Sequence, residues 1–378
     1  MTAMHFTSAK QDFVSVLSKS QGVPEQKSPS GPMAHVLFEA EGSDRVRLSA
    51  QSHEVTVSVT FPAQIVQPGS LALSARSLFD SVRMLPEAPV TIASMENDWA
   101  RLSSGRTDYK IPGIAPQSVP PRKVPASVDH LEIPVALALE TVERVAFAMS
   151  NDEGRPNLNG IFLKLVPQED STIQVEAVAT DGHRLARLVR RIPLSGEVAR
   201  PLGVIVHRRG IHELRRFLDG EQGNLRLGIQ REAVSFEIPS GYLYVNQVEL
   251  EYPDYMRVLP SGFKWQITLN RLDFVRAVAR ASVMASGEKA PLVRLSIQPG
   301  RLTTFAQDSV KGDAQDEQDI PYDGEPLEIA FNHRYLSEAL QALPGEQVTL
   351  SVRDIGAAVA LTSTSDEGAL QLIMPIRS

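Results

Sequence analysis

The stretch VIVHRRGIHELRRFL, residues 204–218, reads as a strand running into a short helix that stops at the turn signal Asp219-Gly220. The same order is written twice more. LALSARSLFDSVRML (residues 71–85) stops at Pro86, and LEIAFNHRYLSEALQAL (residues 327–343) stops at Pro344-Gly345. Alternating strands return after each stop. Leu225, Leu227 and Ile229 keep a period of two, as do Val348, Leu350 and Val352.

Upstream of each stretch lies a strand-like run followed by an amphipathic helix. Residues 6–22 place Phe13, Val16 and Leu17 on one face. Residues 131–150 do so with Ala138, Val142, Val145, Ala146 and Met149, and residues 265–286 with Leu272, Val275, Val278 and Ala279. Strand-like sequence follows at 34–61, 160–192 and 292–320. The unit is therefore β-α-β-β-β, twice per domain, and the domain is repeated three times. The expected fold class is α+β, with domains at 1–127 (divergent), 128–258 and 259–378. Pro-rich IPGIAPQSVPPRKVP (111–125) reads as the first linker, and the segment 252–262, with Pro253, Pro260 and Gly262, as the second.

A length of 378 residues suits two or three domains, and 42% hydrophobic against 22% charged residues suits ordinary packed cores. The chain has no cysteine, so disulfides, thiolate metal sites and a thiol nucleophile are excluded. Residues 1–10 lack an apolar core of signal-peptide length, and no stretch approaches a membrane span, so a soluble, cytoplasmic protein is expected.

The net charge is −7, yet the helices are basic. Residues 204–218 hold Arg208, Arg209, Arg215 and Arg216 with His207 and His212, against the single acid Glu213. Arg76 and Arg83 lie on the matching helix of the first domain. Arg144, Arg276, Arg280, Lys10 and Lys19 lie on the longer helices. Acid collects elsewhere: DAQDEQDIPYDGE (313–325) carries six acidic residues and no basic one. Any one of these arginines suits a plain solvated helix face. Their shared location across repeats instead suggests a cationic lining for duplex DNA, which attracts phosphate without reading sequence. Aromatics make up only 6% of the chain and form no stacking ladder for single strands.

Catalytic chemistry finds little support. Asp181, His183 and Arg184 occur together in VATDGHRL (178–185), the one place where a hydrolase could be argued. Neighbouring strand residues point to opposite faces, however, and Asp181-Gly182 also reads as a turn. His207 and His212 are five apart, wrong for two metal ligands on one helical face, and SGEKA (286–290) lacks the first glycine and the hydroxyl of a phosphate loop. No metal and no cofactor are expected.

VATDGHRL resembles the signature of the bacterial sliding clamp family, the beta subunit of DNA polymerase III. RPNLNG (155–160), VIVHRRG (204–210), YPDYMRVLP (252–260), Phe331-Asn332 and the C-terminal MPIRS (374–378) resemble the same family in the same order. The resemblance is close in the second and third domains and weaker in the first. It implies a non-enzymatic head-to-tail homodimer closed into a ring, with helices lining a central hole and antiparallel sheets outside. Double-stranded DNA would pass through the hole without sequence preference, and polymerase and clamp-loader subunits would dock by a short peptide with apolar and glutamine anchors.

Carried over motif by motif, the peptide pocket would be walled by Leu158, Thr180, Gly182, His183, Arg184, Leu185, Pro253, Arg257 and Val258. Asn332 and Tyr335 would stand on the far side, with Leu372, Met374, Pro375, Ile376 and Arg377 completing it. The bland reading of Leu158, Val258 and Leu372 is core packing. DNA contacts would include Arg76, Arg83, Arg155, Arg208, Arg209 and Arg215. Lys27 would join them, although KSPSGPM (27–33) departs from the family pattern. The dimer seam would pair Arg106 and Ile111 of one copy with Val283 and Met284 of the other.

Overall fold

A computed structural model of the chain describes residues 3–25, 28, 31–126, 129–285 and 292–376. The first third runs β1 (His5–Ser8), α1 (Lys10–Ser20), β2 (His35–Glu41), β3 (Arg45–Gln51), β4 (Val55–Pro62), β5 (Gln64–Gln67), β6 (Ser70–Ser74), α2 (Ala75–Arg83), β7 (Val90–Ser94), β8 (Ala100–Ser104), β9 (Thr107–Ile111) and β10 (Gly113–Ile114). The second runs β11 (His130–Pro134), α3 (Val135–Val145), β12 (Gly160–Pro167), β13 (Thr172–Thr180), β14 (Arg184–Pro193), β15 (Leu202–His207), α4 (Arg208–Phe217), β16 (Asn224–Ile229), β17 (Ala233–Ile238) and β18 (Gly241–Asn246). The third runs β19 (Trp265–Asn270), α5 (Arg271–Ser282), β20 (Leu292–Gln298), β21 (Arg301–Asp308), β22 (Gly312–Asp319), β23 (Leu327–Asn332), α6 (His333–Ala342), β24 (Gln347–Val352), β25 (Val359–Ser363) and β26 (Asp366–Ile373). The β-α-β-β-β unit is thus written six times, the first third adding the short strands β5 and β10.

Four of the six α-helices among the described residues, α2, α4, α5 and α6, start at a residue whose side chain caps them, whereas α1 starts after Ala9, which offers none. Ser74 accepts from the Ser77 N–H at 3.5 Å, Asn270 from Asp273 at 3.1 Å and Asn332 from Arg334 at 3.0 Å. His207 Nδ1 accepts from the Arg209 N–H at 3.3 Å. These bonds satisfy amides that the first helical turn leaves without partners. Gly210 then lets α4 lie close on β18: a Cβ there would meet Val245 Cγ1 at 2.3 Å.

The strand pairs that build both large sheets across the repeats, β4 with β18 and β14 with β26, are antiparallel, and contacts divide the chain into two compact units. The first comprises Met1–Leu139, Leu194–Ala199 and Val206–Glu249. It holds a five-stranded sheet, β5-β1-β7-β8-β9, and a nine-stranded sheet, β10-β6-β2-β3-β4-β18-β17-β16-β11. Phe6, Phe13, Phe38 and Phe61 fill the space between α1 and its strands, with ring centroids 5.8 to 6.4 Å apart. The second unit comprises Glu140–Pro193, Arg200–Ile205 and Leu250–Ser378. It centres on an eight-stranded sheet, β15-β12-β13-β14-β26-β25-β24-β19, and a four-stranded sheet, β22-β21-β20-β23. The two largest sheets therefore run through the sequence breaks at 127/128 and 258/259: Val57 pairs with Leu243, and Leu185 with Leu372.

Two sequence expectations need correction. On α5 the buried stripe is Phe274, Ala277, Val278 and Ala281, whereas Leu272 and Ala279 are exposed. Phe274 sets the phase: of the expected stripe Val278 is buried and Val275 half-buried, while Leu272 and Ala279 lie on the opposite side. The α3 stripe outlasts its helix. That helix ends at Val145, and Ala146 belongs to a 3-10 turn, Ala146–Ala148, that points Met149 inward by another route. The segment read as the first linker is stitched to the strands beside it. Ser74 N–H donates to Pro112 O at 3.0 Å, Arg122 pairs with Glu39 at 2.7 Å, and Tyr242 Oη donates to Lys123 O at 2.9 Å. Among the described residues no helix is long and apolar enough to cross a membrane.

Candidate functional site

The turn between β13 and β14 is fixed by its own side chains. Asp181 Oδ1 accepts from the N–H groups of His183 at 2.9 Å and Arg184 at 3.0 Å. Thr180 Oγ1 donates to Arg184 O at 2.6 Å and accepts from Gly182 N–H at 3.1 Å. Gly182 adopts φ +91°, a left-handed value that a side chain would resist. The Asp181 carboxylate is committed to this arrangement: it shapes the turn and binds Arg184 Nε at 3.0 Å. The His183 ring lies against Tyr335, with centroids 6.4 Å apart.

Two further segments reach this turn. β26 pairs with β14, and beyond it the Met374 N–H donates to His183 O at 2.8 Å. The segment after residue 251 is held by aromatics: Tyr252 stacks on Phe162, and Tyr255 meets both rings edge-on at 6.3 Å. Burial pushes both tyrosine hydroxyls well above their usual range, so they stay protonated. Tyr255 opens a 3-10 turn, Tyr255–Val258, that leaves Val258 53% exposed at the rim.

Together these segments enclose a cleft of about 220 Å³ whose walls are overwhelmingly apolar. Of the residues the sequence nominated, Leu158, Thr180, Gly182, His183, Arg184, Leu185, Pro253, Val258, Leu372 and Met374 line it. Asp254, Tyr255 and Ala358 line it too and were missed. Asp254 and Tyr255 lay inside the quoted 252–260 motif, whereas Ala358 has no sequence signal: it precedes β25 and is brought to the cleft by the pairing of that strand with β26. Arg257 lies outside, exposed and paired with Asp254 at 2.8 Å. Asn332 serves as the α6 cap, and Tyr335 packs on Arg184 rather than facing the cleft. Pro375 is half-buried beside Met374. The Ile376 N–H donates to Ala330 O at 2.7 Å, and its side chain borders a neighbouring hollow with Ile329 and Ile355. Arg377 lies outside the described residues.

The cationic candidates separate into groups. Arg215 and Arg216 are exposed on α4 and, with Ser18, Gln21, His212 and Asp219, border an open hollow of about 470 Å³. Burial, then Arg216 and Arg208, lower the His212 pKa, so the ring favours its neutral form. Arg76 and Arg83 are exposed along α2, and Arg208 is half-buried at the start of α4. Arg209 is turned inward, donating to Val23 O at 2.9 Å and pairing with Glu54 at 3.4 Å. Arg155 pairs with Asp152 at 2.9 Å beside the Gly182 turn. Two other helix cations are also committed: Lys19 pairs with Glu221, and Arg144 with Glu140 and Ala342 O. Lys27 lies outside the described residues.

Of the expected seam residues, Arg106 and Val283 are exposed and Met284 is half-buried. Ile111 is a correction. Its side chain is 1% exposed within the chain's own core, because the inward face of β9 falls there, so it offers no surface.

Sequence profiles of three successive domains of the DNA polymerase III beta subunit match this chain in order. The N-terminal domain matches 4–123, the central domain 132–254 and the C-terminal domain 256–377. The chain belongs to the DNA polymerase III beta subunit family. Its relatives there are beta sliding clamps. That of Caulobacter vibrioides (strain NA1000 / CB15N) is 31% identical over 376 residues, covering 99% of this chain and 100% of the relative. That of Escherichia coli K12 is 28% identical, with the same coverage. Among solved structures, the sliding clamp of Bartonella birtlesii bound to griselimycin superposes with a TM-score of 0.91 at 28% identity, covering 100% of both chains. The C. crescentus beta sliding clamp gives 0.90 at 29% identity, covering 100% of this chain and 99% of that one.

Proposed function

We propose that two copies of this chain close head to tail into a ring around duplex DNA and tether partner proteins by peptides seated in the 220 Å³ cleft. Strand pairing carries this reading. In the repeated unit, β4, β14 and β22 are each the third strand after the first helix of a domain, and β9, β18 and β26 the third strand after the second helix. β4 pairs with β18, and β14 with β26. That leaves β22 and β9 as open edges of the four-stranded and five-stranded sheets. An open edge of eight residues is a liability unless another strand covers it. Applying the same junction between copies joins β22 of each to β9 of the other, and two such heterologous junctions close a ring. Charge favours the match: β22 carries Asp313, Asp316, Glu317 and Asp319, and the β8–β9 hairpin carries Arg101, Arg106 and Lys110 against the single acid Asp108, which pairs with Arg101 at 3.4 Å.

Within this reading the domains are 1–127, 128–258 and 259–378, with sheets continuous across their junctions. The exposed cations of α2 and α4 supply the phosphate attraction, and capture comes from enclosure rather than base contacts. The cleft supports binding rather than turnover, since its apolar walls hold a desolvated slot with few polar groups to orient a peptide. The test is retention on a nicked circular plasmid against the same plasmid linearised. A sliding ring stays on the circle and runs off the ends of the linear form. Equal retention on both rejects enclosure.

A further inference from the structure

Glu213 is the single acid of α4, and its side chain is 4% exposed where α4 packs against α1. Its Oε1 accepts from Arg216 Nη1 at 2.6 Å, whereas Oε2 is buried without a hydrogen-bond partner among the described residues. The pair lies tight against the backbone just past α1: a Cβ on Gly22 would overlap both Arg216 Nη1 and Glu213 Oε1. Arg216 is 46% exposed and borders the hollow it shares with Ser18, His212 and Arg215. The other charges around Glu213 are taken up. From α1, Lys19 pairs with Glu221, and on α4 itself Arg209 is tied to Val23 O and Glu54. β18, on which α4 also packs, brings no acidic or basic side chain apart from its tyrosines. Burial, then Arg216 and Arg208, keep His212 in its neutral form. Burial also pushes the Glu213 carboxyl above its ordinary value, against the opposing pull of Arg216 and Arg209.

We propose that Glu213 is a positioning residue for duplex DNA: ionised, it holds Arg216 back against Gly22, and on taking up a proton it releases Arg216 to a backbone phosphate. The proposal rests on the DNA reading of α4 above. While Glu213 is ionised the pair carries no net charge, so Arg216 adds little to the attraction for phosphate. Release breaks the hydrogen bond from Arg216 Nη1 to Oε1 and would strand a carboxylate in a dry site. Such a group takes a proton instead, here from solvent entering through the hollow. A phosphate at Arg216 acts in the same direction, because negative charge beside Glu213 favours the neutral acid. The coupling is mutual: DNA binding draws a proton onto Glu213, and lower pH strengthens DNA binding. Affinity is therefore lower where Glu213 stays ionised, and it rises as pH falls toward the raised range of that carboxyl. Arg215, exposed beside Arg216, needs no such release and supplies attraction at every pH.

The experiment measures binding of the full-length protein to a short fluorescein-labelled DNA duplex at low salt, by anisotropy at about pH 7.5 and about pH 6. Native affinity is expected to rise about fivefold over that interval, in keeping with roughly one added phosphate contact. Glu213→Gln puts a neutral amide of the same shape in place of the carboxylate. It should bind about fivefold tighter than the native protein at the higher pH and lose most of the rise. Arg216→Gln keeps the buried acid and should remove the rise without any gain at the higher pH. His212→Gln should keep the rise. Calorimetry in two buffers of different ionisation heat should show proton uptake on binding by the native protein and not by Glu213→Gln, a difference that a merely structural role would not produce. A rise that persists in Glu213→Gln or Arg216→Gln overturns the proposal, as does one that vanishes in His212→Gln. If Glu213→Gln does not fold, the Arg216→Gln arm decides. If the native protein, folded by circular dichroism, shows no salt-sensitive binding to the duplex at either pH, the DNA reading itself fails and takes this proposal with it.

Discussion

Tyr252 lies flat over Phe162, ring centroids 4.9 Å apart and planes 8° from parallel. This stack anchors the segment that carries Pro253, Tyr255 and Val258 to the cleft, so it sets the position of one wall. Phe162→Ala removes the stack and the edge contact to Tyr255. A loss of about 3 kcal/mol in urea unfolding is expected, given the cost of truncating a packed aromatic. Peptide affinity should fall alongside it, because the wall loses its support.

Removing residues 374–378 deletes the Met374 side chain from the cleft and the hydrogen bond from its N–H to His183 O. Peptide binding should drop below detection by anisotropy. The mass in solution should stay that of the native assembly, since β9 and β22 are untouched.

Arg215 and Arg209 sit on the same helix and should behave differently. Arg215 is exposed, and Arg215→Ala should lower the salt dependence of DNA binding by about 0.9 in the log–log slope, one phosphate contact. Arg209 is tied to Val23 O and Glu54. Arg209→Ala should lower the thermal midpoint and leave that slope nearly unchanged.

Arg190 joins Asp366 at 2.6 Å and Glu140 at 2.6 Å. Burial by itself would raise the Asp366 carboxyl, but its hydrogen bonds from Arg190 prevail and hold it below the usual carboxylate range. A carboxyl depressed in the folded state stabilises the protein above its unfolded pKa, and the gain disappears as pH falls through the folded value. The unfolding midpoint of the native chain should therefore fall more steeply between neutral pH and about pH 3 than that of Asp366→Asn. The two curves should converge at the acid end.

Lys110→Glu puts an acid on the β9 edge, facing the acidic β22 of a second copy. Dimer dissociation measured by sedimentation should become about tenfold easier, and Asp313→Lys in the same chain should recover part of the loss.

Much of the fold could be read from residues alone because each cue is local. Ser74, Asn270 and Asn332 occur where a strand ends, and capping geometry makes such residues helix starters wherever they are met. The α5 face is only partly legible because Leu272, Val275 and Ala279 fall with the buried Val278 at helical spacing too. Only the sheet against which Phe274 packs decides between them. In the cleft, VATDGHRL marked the central turn, while Ala358, Glu338 and Phe147 left no signature. Their side chains reach the cleft or Arg184 through β25, α6 and the turn after α3, which are distant in the chain.

The order of elements, the threefold repetition and the family signature are properties of short segments, and the sequence determines them by itself through periodicity, capping and turn chemistry. Which charges remain available was settled only by tertiary structure. Arg184, Arg209 and Arg144 look the same in the sequence as Arg215, yet each is committed to a partner 37 or more residues away in the chain. An ion pair depends on distances between separate strands and helices, and those distances exist only once the sheets have paired.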